Sequence, residues 1–146
     1  MYKSILVPFD GSGGAEVALI AAINLAKTIG TASVTILTVY RHHSMLEASV
    51  SMVRPDEPGN LAAIMRAHAT DVAERGKKIA LDGGLNDTRA FVVAGPTSRT
   101  IIKFAKEHDN DLIVIGSRGL GSVEGYLLGS VSHKVTGLAE CPVLVV

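Results

Sequence analysis

Short apolar runs alternate along the chain with longer segments in which apolar residues recur three or four positions apart. The first pattern is typical of strands buried on both faces, and the second is typical of helices. The runs predict five strands, at residues 5–7, 33–40, 90–93, 111–115 and 142–146. Helices are predicted between them, at residues 15–29, from Leu61 to Gly83-Gly84, after Thr97, and from Val131 to Leu138.

This alternation predicts the α/β class, a five-stranded and mainly parallel sheet with helices on both faces in a Rossmann-like three-layer sandwich. Right-handed crossovers leave few strand orders, and the most favourable one places the first strand centrally with a switch point beside it. Ligands bind such sheets at the carboxyl ends of the strands. The length of 146 residues fits a single domain spanning residues 1–146.

Two segments between the second and third strands carry expectations of their own. The long helix is expected to bury one face, formed by Leu61, Ile64, Met65, His68, Val72 and Ile79. Before it, residues 41–58 have no clear period and contain two prolines, which predicts a long loop. Closure of this loop over a ligand is a hypothesis.

Charge and composition exclude several function classes. The chain has 14 Lys and Arg against 14 Asp and Glu, and it has no basic run. This balance argues against a nucleic-acid surface and against an anionic-membrane surface. Its uncharged stretches are too short to cross a membrane. The single cysteine, Cys141, excludes an internal disulfide framework and favours the cytoplasm, where we expect it as a small buried residue.

Five of the 15 glycines lie close together after the fourth strand, at Gly116, Gly119, Gly121, Gly125 and Gly129. Such a loop lets backbone N–H groups approach an anion, and a helix N-terminus at Gly129-Ser130 supplies further free donors. Ser130, Ser132 and Arg118 add hydroxyl and guanidinium donors. The alternative is that the glycines only shape a connection and that Ser130 caps the helix.

The glycine-rich loop after the first strand fits phosphate poorly. A dinucleotide fingerprint would continue from Gly11 and Gly13 to a third glycine, but Glu16 stands there. Asp10 and Glu16 also place negative charge where a pyrophosphate would bind. The later loop lacks the Gly-Lys-[Ser/Thr] ending of a Walker motif, because Val123 follows Ser122.

The spacing Gly116-x-x-Gly119, nine residues, then Gly129-Ser130 resembles the motif of the ATP-binding branch of the universal stress protein family. The turn Asp10-Gly11-Ser12 after the first strand and the ending Cys141–Val146 resemble the family's first turn and last strand. The resemblance covers the whole chain. It implies the adenine nucleotide alpha hydrolase-like version of the sandwich.

The resemblance also implies the ligand and the residues that hold it. ATP, together with Mg²⁺, would lie across the carboxyl ends of the strands, and Asp10 could meet a nucleotide-bound Mg²⁺. The expected contacts on the adenine side are Pro8, Phe9, Asp10 and Val39. Those for the ribose and phosphates are Gly116, Ser117, Arg118, Gly119, Leu120, Gly121, Ser122, Gly129, Ser130, Val131 and Ser132. Thr97 replaces a proline usual in the family and is expected to cap the helix after it.

Other titratable residues favour structural roles. His68 is expected to be packed or to face a partner, His133 to be a surface helix residue, and Cys141 not to be a catalytic thiol. His42 and His43 lack the neighbours of a metal site. Ser130 could accept a phosphoryl group, because it would lie beside the ATP phosphates.

Three functions remain open. The first is an ATP-binding regulatory protein of the stress response, acting as a homodimer paired through the apolar last strand, Pro142 to Val146. The second is a slow ATPase or phosphotransferase, although no Walker lysine and no obvious base are present. The third is a protein-interaction module without nucleotide. The intact glycines favour the first function, because larger side chains would fill the space for phosphate. We assign no catalytic residue.

Overall fold

The structure is a computed structural model, and it describes residues 1–41, 60–118 and 128–146. These residues form a five-stranded sheet with the strand order β3-β2-β1-β4-β5. All neighbouring strands are parallel, as predicted. The central strand is β1, and the switch point lies between β1 and β4. The strands are β1 (Ser4–Pro8), β2 (Ser33–Tyr40), β3 (Thr88–Ala94), β4 (Leu112–Ile115) and β5 (Val143–Val145).

Helices cover both faces of the sheet and create two apolar cores. Successive side chains of a strand point to opposite faces, so Ile5 and Val7 pack with α1 and α2 while Leu6 packs with α3 and α4. Ile5, Leu6 and Val7 are all fully buried, which explains the continuous apolar run of this central strand. The helices are α1 (Gly13–Ile29), α2 (Asn60–Asp82), α3 (Thr97–Glu107) and α4 (Ser130–Leu138).

The two ends of α1 can be compared with the boundaries predicted from the sequence. Helix α1 begins at Gly13, two residues earlier than predicted, because the buried Ser12 caps it by accepting a hydrogen bond from Ala15 N at 3.2 Å. Its glycine cap is confirmed, since Gly30 has φ 87° and donates to Ala26 O at 2.8 Å.

The predicted threonine cap at Thr97 is wrong, and so is the alternative in which Ser130 caps its helix. Thr97 is the first residue of α3, and Pro96 occupies the cap position with no side-chain hydrogen bond. Ser130 is likewise the first residue of α4, and its cap is Gly129. A cap residue keeps an extended backbone, which the fixed φ of Pro96 allows and which Gly129 adopts with φ −61° and ψ 160°.

The predicted buried face of α2 is wrong in its N-terminal part. Ile64 is 57% exposed and His68 is exposed, because this end of the helix lies beyond the strands, where Arg66 Nη1 contacts the Tyr40 hydroxyl at 3.5 Å. The buried face consists mainly of small residues, which lets the helix pack close to the sheet. They are Ala69, Val72, Ala73, Gly76 and Ala80.

No helix in the described ranges is both long enough and apolar enough to span a membrane.

Gly76 is expected to be required for packing of α2. A Cβ there would lie 3.0 Å from Phe9 Cδ2 and 3.3 Å from Ile36 Cγ2, both in the core. We predict that Gly76→Ala lowers the free energy of unfolding by about 1–3 kcal/mol through overpacking. The control Gly137→Ala meets nothing within 4 Å and should raise it by about 0.5–1 kcal/mol. Urea unfolding measures the free energy of unfolding of both variants, and equal changes in the two would contradict the packing described around Gly76.

Candidate functional site

The carboxyl ends of β1, β2 and β4 bring the predicted site segments together at the switch point. The loop after β1 carries Asp10, and the segment after β4 carries Gly116, Ser117 and Arg118. The N-terminus of α4 lies against that segment, because Gly129 N donates to Ser117 O at 2.7 Å. The site is therefore built from one turn, one strand exit and one helix N-terminus.

The turn after β1 satisfies its own polar groups. Asp10 is exposed, and its Oδ1 accepts a hydrogen bond from Ser12 N at 2.9 Å. Ser12 in turn caps α1 through its hydroxyl. A carboxylate beside this helix N-terminus disfavours a second anion, which agrees with the expectation that phosphate binds elsewhere.

Gly116 is required by backbone packing. A Cβ on Gly116 would lie 2.7 Å from the carbonyl oxygen of Gly14 in the first turn of α1. A Cβ on Gly14 would in turn collide with the carbonyl oxygen of Arg118. Two glycines thus allow the strand exit and the helix start to touch through their backbones, so the presence of Gly116 has a structural explanation independent of any ligand.

Among the residues that the structure describes, Gly129 has no such explanation. A Cβ on it would lie 3.4 Å from both Arg118 Cα and Ser117 O, which is ordinary contact, and its φ of −61° suits any residue. Glycine is only modestly favoured at a helix N-cap, where Ser, Thr, Asn and Asp lead. Gly129 therefore places no side chain of its own over the N-terminus of α4.

The first turn of α4 presents backbone donors. His133 N is the first to bond within the helix, to Gly129 O at 2.9 Å. The preceding N–H groups, on Ser130, Val131 and Ser132, therefore have no partner within the helix. They point out of the positive end of the helix dipole, an arrangement that binds anions.

The side chains of this turn differ in their availability. Ser130 is exposed, whereas Ser132 is only 2% exposed. Ser132 Oγ donates to Ser117 O at 2.8 Å and lies 3.0 Å from Gly129 O. The Ser132 hydroxyl is therefore engaged with the protein backbone.

The end of β2 offers a different kind of contact. Phe9 N donates to Leu37 O at 2.9 Å, so the backbone polar groups of Leu37 face β1. Those of Val39, two residues later, point the same way but beyond the end of β1. Half-buried Pro8 and the turn at Asp10 lie beside this position. The Val39 backbone can therefore meet a ligand in the crevice.

Phe9 contributes to the core at this point. Its ring is 2% exposed and packs under Gly76, and its carbonyl oxygen accepts a hydrogen bond from Thr38 Oγ1 at 2.8 Å. Both backbone polar groups of Phe9 are thus already hydrogen-bonded, so it shapes the crevice more than it offers donors.

Two arginines flank the turn after β1. Arg118, named from the sequence, is exposed, and its backbone contacts Gly14. Arg75 of α2 was missed, although its Nη2 lies only 2.5 Å from where a Cβ of Gly11 would be. No motif marks Arg75 in the sequence, because its proximity to Gly11 depends on how α2 packs across the sheet. Gly11 has φ 82° and lacks the side chain that would exclude this guanidinium.

Several sequence-based expectations fall outside the residues that the structure describes. They concern the middle of the glycine-rich loop and the long segment proposed as a loop and lid. These residues are Gly119, Leu120, Gly121, Ser122, Gly125, His42, His43 and the rest of residues 42–58.

The remaining chemical candidates lie elsewhere. Within the described ranges, no group of three or more His, Cys, Asp and Glu side chains could hold a metal ion. His133 is exposed, as predicted. Cys141 is half-buried and not fully buried, and it lies just before β5, at the amino end of that strand. Burial raises the pKa of its thiol, and Asp111 adds to the rise while a backbone hydrogen bond opposes it. A thiol with a raised pKa is a poor nucleophile.

A parallel sheet with helices on both faces and a switch point beside its central strand defines an α/β protein of the doubly wound class. Comparison with known proteins gives the family. The chain belongs to the universal stress protein family, whose model matches residues 1–146.

Individual relatives agree with this assignment. Universal stress protein YxiE of Bacillus subtilis is 34% identical over 149 residues, covering 100% of this chain and 99% of the relative. The solved structure of protein MJ0577 superposes with a TM-score of 0.83 at 32% identity, covering 100% of this chain and 96% of that one. A universal stress protein in complex with cAMP superposes with a TM-score of 0.75 at 25% identity, covering 99% and 97%.

The two glycines at either end of the motif should respond differently to alanine. Gly116→Ala is expected to lower the free energy of unfolding by about 1–3 kcal/mol, because its Cβ would meet the Gly14 backbone. Gly129→Ala should cost less than about 1 kcal/mol, the scale of changes at a helix cap. Chemical denaturation of both variants measures this, and a Gly129 effect as large as that of Gly116 would contradict the contacts described.

Proposed function

We propose that this protein is an ATP-binding regulatory member of the universal stress protein family. The observation that carries the proposal is the N-terminus of α4. The backbone N–H groups of Ser130, Val131 and Ser132 have no partner within the helix, and the contacts of the described residues do not require a glycine at position 129 before them. This arrangement suits phosphate oxygens, which accept hydrogen bonds and favour the positive end of a helix dipole.

The proposed position of ATP follows the crevice at the switch point. Adenine would lie beside Pro8, Phe9 and Asp10, with the Val39 backbone supplying hydrogen bonds. Ribose and phosphates would lie along the exit of β4 and the start of α4. The contacting residues would be Gly116, Ser117, Arg118, Gly129, Ser130, Val131 and Ser132, with Gly119, Leu120, Gly121 and Ser122 completing the loop.

Charge in the crevice fits a nucleotide with bound Mg²⁺. Arg118, and Arg75 from the other side of the turn, would offset the negative charge of the phosphates. The exposed Asp10 carboxylate would repel a bare phosphate but would attract a cation. Asp10 would therefore act through a nucleotide-bound Mg²⁺ or hydrogen-bond a ribose hydroxyl.

The cAMP complex of a family member supports an adenine nucleotide as the ligand class. Regulation is favoured over turnover, because phosphoryl transfer needs a positioned base or nucleophile and the sequence offers no obvious one. We place the protein in the cytoplasm, in keeping with its single cysteine.

We further propose a homodimer paired through the last strand, Pro142 to Val146. Strand β5 lies at the edge of the sheet, and Leu144 on it is 43% exposed. An edge strand with unpaired backbone groups and an exposed apolar side chain favours pairing with a second copy.

Equilibrium dialysis of nucleotide-stripped protein tests the proposed ligand. We expect one ATP per chain, with saturation reached at or below about 1 mM free ATP. Gly129→Val should weaken this binding by at least tenfold, on the order of one lost hydrogen-bonded phosphate contact, because its side chain would cover the start of α4.

The control for this experiment is Gly137→Ala, on the same helix but in open space. It should bind ATP as the unchanged protein does. Absence of ATP binding by the unchanged protein at millimolar concentration would refute the proposed function, and full binding by Gly129→Val would refute the proposed phosphate position.

A further inference from the structure

The Ser132 hydroxyl is a buried polar group at the start of α4, and its single hydrogen already takes part in a hydrogen bond. It is donated to Ser117 O at 2.8 Å, and Gly129 O lies 3.0 Å away on the same helix. Phosphate oxygens only accept hydrogen bonds, so this hydroxyl has no hydrogen left for a phosphate. Its role at the site must therefore differ from that of the neighbouring backbone donors.

Ser117 joins three segments of the chain through its backbone. Its carbonyl oxygen accepts from Gly129 N at 2.7 Å and from Ser132 Oγ, which fills both of its lone pairs. Its N–H donates to Val146 O at 2.9 Å, and Val146 N donates to Ile115 O at 2.9 Å. The start of α4, the exit of β4 and the residue after β5 are thus connected by consecutive hydrogen bonds.

From these contacts we infer that the Ser132 hydroxyl is a positioning group that fixes the phosphate-binding end of α4 and couples it, through Ser117, to the exposed edge of the sheet at β5. The inference rests on the proposed nucleotide function and adds the regulation of that site. Phosphate held by the Ser130 and Val131 N–H groups would tighten the bonds at Ser117. The N–H group of Ser117 in turn donates to Val146 O, so the edge of the sheet would respond to occupancy.

Coupling of this kind is reciprocal. If nucleotide occupancy strengthens pairing on the β5 edge through Ser117 and Val146, then pairing on that edge must raise nucleotide affinity by the same factor. The connection requires no movement of the sheet, because it runs through backbone groups that are already in contact.

The variant Ser132→Ala removes the hydroxyl and leaves the backbone N–H groups in place. We expect its ATP affinity to fall about tenfold, since a hydrogen bond that preorganises the site is lost. Adenosine affinity should fall less than ATP affinity, because adenosine has no phosphates for the start of α4 to hold. A general loss of structure would weaken both ligands alike.

Thr136→Ala is the matched control. Thr136 lies one turn later on α4, and its Oγ1 donates to His133 O at 2.8 Å, the same local pattern as Ser132 to Gly129. Thr136 is exposed, and its hydrogen bond to His133 O stays within α4. Its removal should leave the affinities for ATP and adenosine unchanged.

The experiment measures both affinities by calorimetry and the exchange rates of the Ser117 and Val146 amide hydrogens with and without ATP. In the unchanged protein, ATP should slow exchange at both amides beyond the general stabilisation seen at core amides such as Leu6. In Ser132→Ala this additional slowing should disappear. Thr136→Ala should keep it.

Equal weakening of ATP and adenosine in Ser132→Ala, or no additional slowing in the unchanged protein, would overturn the inference while leaving nucleotide binding intact. If Ser132→Ala does not fold, the amide exchange rates of the unchanged protein with and without ATP test the inference on their own. If the unchanged protein binds no ATP, the proposed function fails and this inference fails with it.

Discussion

The close approach of two backbones at the switch point determines where everything else at the site lies. Gly14 in the first turn of α1 and Gly116 at the exit of β4 touch with no room for a Cβ on either. This contact fixes the direction in which the chain leaves β4, and Ser117 then receives the start of α4 through its carbonyl oxygen. The crevice is bounded by those two helix ends and by the end of β2, so its shape follows from a glycine pair and a few hydrogen bonds.

The fold was predictable because periodicity reports burial directly. The runs around Ile5 and Ile113 are apolar without interruption, as strands buried on both faces must be. Helix caps were less predictable, because a cap is defined by backbone conformation and not by side-chain type alone. Pro96 occupies the position expected for Thr97, and Gly129 occupies the one that only the alternative gave to Ser130. The error at Ile64 has another cause, since no local pattern tells how far a helix extends past its sheet.

The sequence indicated which segments form the candidate site, but it did not indicate what each residue does there. Spacing alone indicated Gly116 and Gly129 together, yet among the described residues a Cβ would come within 3.0 Å of a neighbour at Gly116 and not at Gly129. Ser132 carries a hydroxyl suited to phosphate, but burial commits it to Ser117. Arg75 was invisible to sequence reasoning because its position depends on contact between distant segments. Backbone donors also explain how a chain with zero net charge could hold an anion without a basic patch.

The central claim is that phosphate oxygens bind the backbone N–H groups in the first turn of α4, and an amide NMR titration tests it most directly. ATP should shift the resonances of the Ser130 and Val131 amides more strongly than adenosine does, whereas both ligands should shift the Val39 amide. If ATP left the α4 amides unchanged, or instead shifted those of Gly13 and Gly14 at the start of α1, the assignment of the phosphate site would be contradicted.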